Sequence, residues 1–268
     1  MSMSIQGPSP DGLLRSLQRT SDRQQRTLSH LATGKRIAQA SDDAAGLAIA
    51  RRLEAEERGL AQGERNLADG QSLANTAEGA LQGTQEAISR MRELGVQARN
   101  GTLSSADRST IQGEYDQLAA QVDQTAGGTR FGDRALLDGS ASGAAAPVIT
   151  DGAGGETPVS IDAADATALG IAGRDVSDPA TLQALDDASA QVSAARGALG
   201  TASSSFSHQS DAIATSRATA AAARSRIEDA DYAGEVATLT RDRILQSLQL
   251  SGIGATARNH HRVLDLLA

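Results

Sequence analysis

At 268 residues the chain is long enough for one or two domains with a buried core. With no tryptophan, no cysteine, two phenylalanines and two tyrosines, burial falls to Leu, Ile, Val and Ala, and disulfide and thiolate chemistry are excluded. A formal net charge of −8 disfavours nucleic acid as the main partner. No apolar run is long enough to span a bilayer, so no membrane partner is expected.

The polar start, Met1 to Asp11, lacks the basic and then apolar layout of a cleavable secretory signal, so departure from the cell would need another export route. Gly7, Pro8, Pro10 and Gly12 are expected to break helix until about residue 13. A heptad then begins: Leu14, Ser21 and Leu28 share one position, and Leu17, Gln24 and Leu31 another. Short and gapped, this helix is marginal alone and calls for a partner. Gly34 ends it, residues 33–37 read as a connector, and Ser41 is the expected N-cap of the next helix, with Asp42 and Asp43 in its first turn.

The second helix is predicted over residues 43–99. Leu53, Leu60, Leu67, Ala74, Leu81 and Ile88 repeat every seven residues, with Ala77, Thr84, Met91 and Ala98 as a companion row. Six interior glycines (Gly59, Gly63, Gly70, Gly79, Gly83 and Gly95) imply that packing holds this helix and that neighbours approach it closely. Asn100-Gly101-Thr102 reads as a turn. A third helix is predicted from Ser104 or Ser105 to about Thr125, with Ile111, Leu118 and Val122 facing its partner.

Residues 126–178 are rich in Gly, Ala, Ser, Asp and Thr. The short runs Pro147-Val148-Ile149 and Val159-Ser160-Ile161 predict one or two small surface hairpins with loops, partial disorder being the alternative. Helix returns near Pro179, with Asp178 as N-cap. Leu185, Val192, Leu199, Phe206, Ile213, Ala220 and Ile227 keep a seven-residue register that matches the second helix in length.

The last block, from about Tyr232, is amphipathic, with apolar surface from Leu239, Leu245, Leu248, Leu250, Ile253, Val263, Leu264, Leu266 and Leu267; Gly252 and Gly254 are expected to interrupt it. Residues 11–36 carry a net +4 and residues 239–268 a net +2, leaving −14 for the rest. Because both ends are basic, apolar burial rather than charge attraction is expected to drive their pairing. The fold class is therefore mainly α, a long antiparallel bundle formed by both chain ends with a small β-hairpin region in the middle.

Chemistry is scarce. His30, His208, His260 and His261 make no zinc spacing, and the adjacent last pair points about 100° apart on a helix. Lys35 is the sole lysine, and no phosphate-cradling glycine loop precedes it. Asp42/Asp43 and Asp186/Asp187 sit at expected helix starts, where interaction with the dipole suffices. No catalytic residue, cofactor or metal site is expected.

Local motifs add a resemblance. Leu31-Ala32-Thr33-Gly34-Lys35-Arg36-Ile37, followed by Ser41-Asp42-Asp43-Ala44-Ala45-Gly46-Leu47-Ala48-Ile49, is similar to the N-terminal signature of bacterial flagellins. Asn75-Thr76-Ala77-Glu78-Gly79-Ala80-Leu81 and Arg92-Glu93-Leu94-Gly95-Val96-Gln97-Ala98 continue it. Arg130-Phe131-Gly132 and Leu136-Leu137-Asp138-Gly139 are similar to the family's helix-to-hairpin passage. Residues 223–232, Ala-Arg-Ser-Arg-Ile-Glu-Asp-Ala-Asp-Tyr, and Leu239-Thr240-Arg241 look like the C-terminal signature. The start departs from the family's Asn-rich opening, and Ala257-Arg258-Asn259-His260-His261-Arg262 replaces its usual approach to the final Val-Leu.

The resemblance implies a structural, non-enzymatic subunit that polymerises into the extracellular flagellar filament for motility. It implies paired terminal helices over 1–34 and 235–268 as the inner filament core. A long-helix bundle would span 35–129 and 179–234, with a hairpin surface region over 130–178 small enough for a thin, smooth filament. Polymerisation is expected through Leu14, Leu17, Leu28, Leu31, Leu245, Leu248, Ile253, Val263, Leu264 and Leu267. The bundle core is expected from Leu53, Leu60, Leu67, Leu81, Ile88, Leu185, Val192, Leu199, Phe206, Ile213 and Ile227. Implied partners are further copies of the chain, a flagellar export chaperone, the type III export apparatus, and the filament cap and hook-junction proteins. An innate immune Toll-like receptor is a further partner: flagellins that it recognises use an Arg, a Leu and a Glu, matched here by Arg90, Leu94 and Glu114, for which packing is an equal reading. The alternatives are the hook–filament junction protein, which shares the helical plan, and an enzyme on the same scaffold, against which the lack of zinc spacing or a nucleophile–base pair counts.

Overall fold

The computed structural model describes the backbone of residues 10–267, and the side-chain surroundings of residues 11–256 and of Arg258. The elements are α1 (Pro10–Thr33), α2 (Ala44–Ala98), α3 (Ser105–Gly128), β1 (Arg130–Phe131), β2 (Arg134–Ala135), β3 (Val148–Thr150), β4 (Glu156–Pro158), α4 (Pro179–Glu228) and α5 (Tyr232–Leu267). Strands β1 and β2 form one antiparallel hairpin, β3 and β4 another. The expected mainly helical fold is present, with α1 packed on α5 and a small hairpin region between the long helices. The chain forms two compact units, residues 57–218 and the two ends outside that range.

In the unit of residues 57–218 the seven-residue rows make the core. Leu60, Leu67, Ala74, Leu81 and Ile88 of α2 are buried, and so are Ala77, Thr84, Met91 and Ala98 of its companion row. Leu185, Val192, Leu199, Phe206 and Ile213 of α4 join them. Polar rungs tie the two helices antiparallel: Gln85 Nε2 donates to Ser189 Oγ at 2.7 Å, Arg196 Nη2 lies 2.7 Å from Glu78 Oε1, and Gln71 donates to Ser203. Helix α3 adds Ile111, Tyr115, Ala119, Val122 and Ala126.

Residues 130–178 correct the expectation of a mere surface region. Leu136, Leu137, Ala141, Val159, Ile161, Ala164, Ala166, Leu169, Ile171 and Val176 are all buried in the same core. The reason lies in the aromatic-poor helices, whose alanine and threonine rows leave volume that this segment fills. The Tyr115 hydroxyl donates to Ile171 O at 2.9 Å, and burial pushes its pKa up to about 12. Gln112 accepts from Val176 N–H at 2.8 Å and donates to Arg174 O at 2.9 Å, fastening the end of the segment to α3. The partner of β3 is 156–158 rather than the expected run at 159–161; Val159 and Ile161 turn inward instead.

The β3–β4 turn explains one helix glycine directly. A Cβ at Gly63 would lie 1.8 Å from Asp151 O, so only glycine lets the turn seat on α2. Asn66 Nδ2 and Gln209 Nε2 hold the hairpin from α2 and α4, donating to Thr150 O at 3.1 Å and Thr157 Oγ1 at 3.0 Å. Gly79 and Gly83 face open space.

Helix ends follow the sequence with three corrections. Ser104 and Asp107 form a capping box at α3, and Asp178 Oδ1 accepts from Ala180 N–H at 2.8 Å ahead of α4. At α2 the cap is Asp43, which accepts from Gly46 N–H at 2.9 Å, rather than Ser41. Asp42 instead closes the preceding turn, accepting from Ala38 and Gln39 N–H at 3.0 and 2.9 Å. Helix α1 begins at Pro10, not near residue 13, because proline suits a first helical position whose N–H has no intrahelical acceptor. Helix α5 runs through Gly252 and Gly254 without interruption.

Two glycine substitutions in α2 should have opposite signs. Gly63→Ala should destabilise by about 1–3 kcal/mol through overpacking against the turn. Gly79→Ala should stabilise by about 0.5–1 kcal/mol, since nothing obstructs the new methyl. Urea unfolding of both variants measures this; equal effects would refute the seating of the hairpin.

Candidate assembly interface

The ends of the chain meet through two features. The first is a stitched junction. Gly34, at φ +69°, ends α1, and its carbonyl accepts from Ala230 N–H at 3.0 Å. Arg36 and Ile37 N–H both donate to Glu228 O, at 2.7 and 3.3 Å. Lys35 Nζ donates to the buried Glu228 carboxylate at 2.5 Å, and Ile37 is buried beneath. Gly46 is needed here because a Cβ would meet Asp43 Oδ2 at 2.4 Å and Ile37 Cδ1 at 2.8 Å. The Ala38 and Gln39 N–H groups hold the Asp42 carboxyl below its ordinary range.

The second feature is the seam between α1 and α5, where polar contacts accompany the expected apolar ones. The helices run antiparallel. Gln249 Nε2 donates to Thr20 Oγ1 at 3.2 Å, Arg23 Nε lies 3.4 Å from Asp242 Oδ2, and His30 Nδ1 lies 2.9 Å from Glu235 Oε1. Thr20, Thr27, Leu239 and Asp242 are buried, Asp242 completely. Glu235, Asp242 and Gln249 are seven residues apart, as are Thr20 and Thr27. The seam thus holds polar rows beside Leu239 and the half-buried Leu17, Leu31, Leu245 and Ile253, while other large apolar residues are left outside. Leu14, Leu28, Val236, Ile244, Leu248 and Leu250 are 40–61% exposed.

The residues read from sequence fall accordingly. Leu14, Leu28 and Leu248 are exposed, while Leu17, Leu31, Leu245 and Ile253 are half-buried. The side chains of Val263, Leu264 and Leu267 lie outside the described residues. In the bundle set, Leu53 and Ile227 are half-buried and Leu60, Leu67, Leu81, Ile88, Leu185, Val192, Leu199, Phe206 and Ile213 are buried. Thr20, Arg23, Thr27, His30, Glu235, Asp242 and Gln249 were missed, although their seven-residue spacing was a readable signal. Of the receptor set, Leu94 is only 1% exposed and faces the core, so it offers no surface contact. Arg90 Nη2 and Glu114 Oε1 pair with each other at 2.8 Å, both about half exposed.

The description "bacterial flagellin N-terminal helical region" matches residues 12–142, and "bacterial flagellin C-terminal helical region" matches residues 182–267. The chain belongs to the bacterial flagellin family. The flagellin of Halalkalibacterium halodurans is 34% identical over 251 residues, covering 91% of each chain. The flagellin of Bacillus subtilis is also 34% identical, over 280 residues, covering 91% of this chain and 92% of its own. A solved structure of a Vibrio parahaemolyticus protein, described as flagellar hook-associated, superposes with a TM-score of 0.58 at 18% identity, covering 70% of this chain and all of the other. At that identity the likeness concerns the fold alone. The chain is a structural subunit of the bacterial flagellar filament.

Two outcomes check this geometry. Leu94→Ala should lower unfolding stability by about 2–5 kcal/mol, the cost of a core cavity, whereas Arg90→Ala should cost less than about 1 kcal/mol. The depressed Asp42 pKa means its stabilisation is present above the unfolded value of 3.8 and is lost as pH falls through the lower folded value. Wild type should therefore exceed Asp42→Asn in urea resistance at pH 6, and the gap should close as pH falls below 3.8. A gap that persists in acid would refute the role of the ionised carboxylate.

Proposed function

We propose that the exposed apolar rows of α1 and α5 are the surface through which copies of this chain polymerise. The observation carrying this reading is the set of outward apolar side chains, Leu14, Leu28, Ile244, Leu248 and Leu250, left exposed on a helix pair whose seam buries the carboxylate of Asp242. Exposed apolar rows of this kind mark association surfaces. Each leucine covered by a neighbour contributes about 1.5–3 kcal/mol, so several per copy offset the entropy of ordering the ends. A head-to-tail contact whose rotation does not close yields an open helical fibre.

On this reading the terminal segments 1–34 and 235–268 form the inner filament layer. The helices of 35–129 and 179–234 form the next layer together with the buried side of 130–178, whose exposed side faces outward. Absorption of that last segment into the core favours a thin, smooth filament. The working location is extracellular, reached by type III export with a chaperone, with cap and hook-junction proteins at the filament ends. An innate receptor, if it binds, would use Arg90 and Glu114 rather than Leu94.

Purified chain added to filament seeds should extend them into long fibres by electron microscopy. Leu14→Ser with Leu248→Ser should abolish extension while leaving the helical circular dichroism unchanged, because neither side chain is buried in the subunit. Deleting residues 1–32 or 240–268 should give a soluble, non-polymerising helical fragment. A wild-type chain that ignores seeds, or a truncation that extends them, would overturn the reading.

A further inference from the structure

We propose that Asn100 is a site of spontaneous covalent modification, at which the main-chain nitrogen of Gly101 closes on the side-chain amide and converts the residue to aspartate and isoaspartate. This goes beyond the assembly surface and does not rest on it.

The chain has four asparagines, Asn66, Asn75, Asn100 and Asn259, and Asn100 alone is followed by glycine. It is exposed in the turn between α2 and α3, and a Cβ at Gly101 would meet nothing within 4 Å, so no neighbour obstructs attack or the approach of water. Among the described residues no hydrogen bond occupies the Gly101 N–H. The amide carbonyl is engaged instead: Asn100 Oδ1 accepts from Thr102 N–H at 3.1 Å and from the Thr102 hydroxyl at 3.0 Å. Such a turn folds the side chain back over the following peptide. Two donors on one oxygen draw electrons from Cγ and sit where the oxyanion of an addition intermediate forms.

The chemistry balances with water and hydroxide as the co-reactants. Gly101 N loses its proton to hydroxide and forms a bond to Asn100 Cγ. The Cγ–Nδ2 bond breaks, and Nδ2 takes a proton from water and leaves as ammonia. The resulting five-membered succinimide adds water at either carbonyl. Opening on one side gives aspartate, and opening on the other gives isoaspartate, in which the main chain runs through the former side-chain carbon. Either product puts a carboxylate beside the carbonyl end of α2, where the helix dipole disfavours it.

Other sites lack one part of this arrangement. Asn66 and Asn75 lie inside α2, where the next N–H is committed to the helix ladder, and Asn259 lies inside α5. Asp138-Gly139-Ser140 repeats the turn, with Asp138 Oδ1 accepting from the Ser140 hydroxyl at 2.6 Å and from Ser140 N–H at 2.9 Å. Those two donors hold the Asp138 carboxyl below its ordinary range, so it stays ionised, and a carboxylate resists nucleophilic attack. Asn100 has the same cradle around a neutral amide.

The full chain, aged at neutral pH and digested after arginine, releases residues 100–108 and, with Asn66 and Asn75 together, residues 66–90. Mass spectrometry should show the amide-to-acid mass gain in 100–108 at least about tenfold faster than in 66–90, as two separable isomers. Gly101→Ala should slow the conversion by about tenfold. Thr102→Val should slow it by about threefold in the folded chain and leave it unchanged in urea, because the hydroxyl acts only where the turn is held. Both variants should keep native helical dichroism, since neither position is buried. Conversion of 66–90 at the rate of 100–108 would overturn the proposal. So would an aspartate product without isoaspartate, or a folded Thr102→Val chain that converts as fast as the native one.

Discussion

The structure depends on a seven-residue repeat executed with small and medium side chains. Two helices, one repeating Leu, Ala, Thr and Met and the other Leu, Val, Phe and Ile every seven residues, can lie against each other over many turns, since the repeat keeps one stripe in contact. With almost no aromatic rings, that stripe is narrow. It cannot by itself close a core, so α3 and the segment 130–178 must supply the remaining walls. The buried Tyr115, with its hydroxyl bonded to Ile171 O, marks where the helical and non-helical walls meet. Economy in aromatics thus has a structural consequence: a loop-rich middle becomes core.

The ends use the same repeat with the opposite chemistry. Between α1 and α5 the inward side chains include Thr20 and Thr27 on one side and Glu235, Asp242 and Gln249 on the other, beside the buried Leu239 and the half-buried Leu17, Leu31 and Leu245. A pair held this way gains little from burial and is only modestly stable by itself. The stitched junction at Lys35, Arg36, Glu228 and Ala230 compensates by bringing the two helices to adjacent starting points. Short-range hydrogen bonds fix the geometry at one end, and the polar rungs carry it along the helices.

Much of the helical plan was legible because periodicity and caps act locally. The rows through Leu60 to Ile88 and Leu185 to Ile213 state which face is buried without reference to any partner. The capping box at Ser104 and the cap at Asp178 are likewise local. What was not legible depended on tertiary choice. Both a leucine row and a threonine row run along α1, and hydrophobicity alone selects the leucines. Asp43 rather than Ser41 caps α2 because Asp42 is engaged with Ala38 and Gln39. Leu94 belongs to a motif that suggested a surface contact, yet its position on α2 turns it into the core. Gly63 hinted at a close neighbour, but only the folded chain identifies it as the carbonyl of Asp151.

A polar seam with an apolar exterior would be a poor design for a subunit meant to stay alone. For one meant to join a polymer the arrangement is consistent. Were the leucines of α1 and α5 turned toward each other, the subunit would satisfy itself and have little to gain from a neighbour. With Leu14, Leu28, Ile244 and Leu248 outside, part of the apolar surface of the pair is left to be covered by a neighbour on the proposed assembly. On the proposed assembly the free energy then grows with the number of neighbours that cover these side chains. On the proposed assembly, the polar groups of the seam give the pair its geometry and the outward apolar groups give the filament its cohesion. Exchanging the two roles would trade a polymer for a stable monomer.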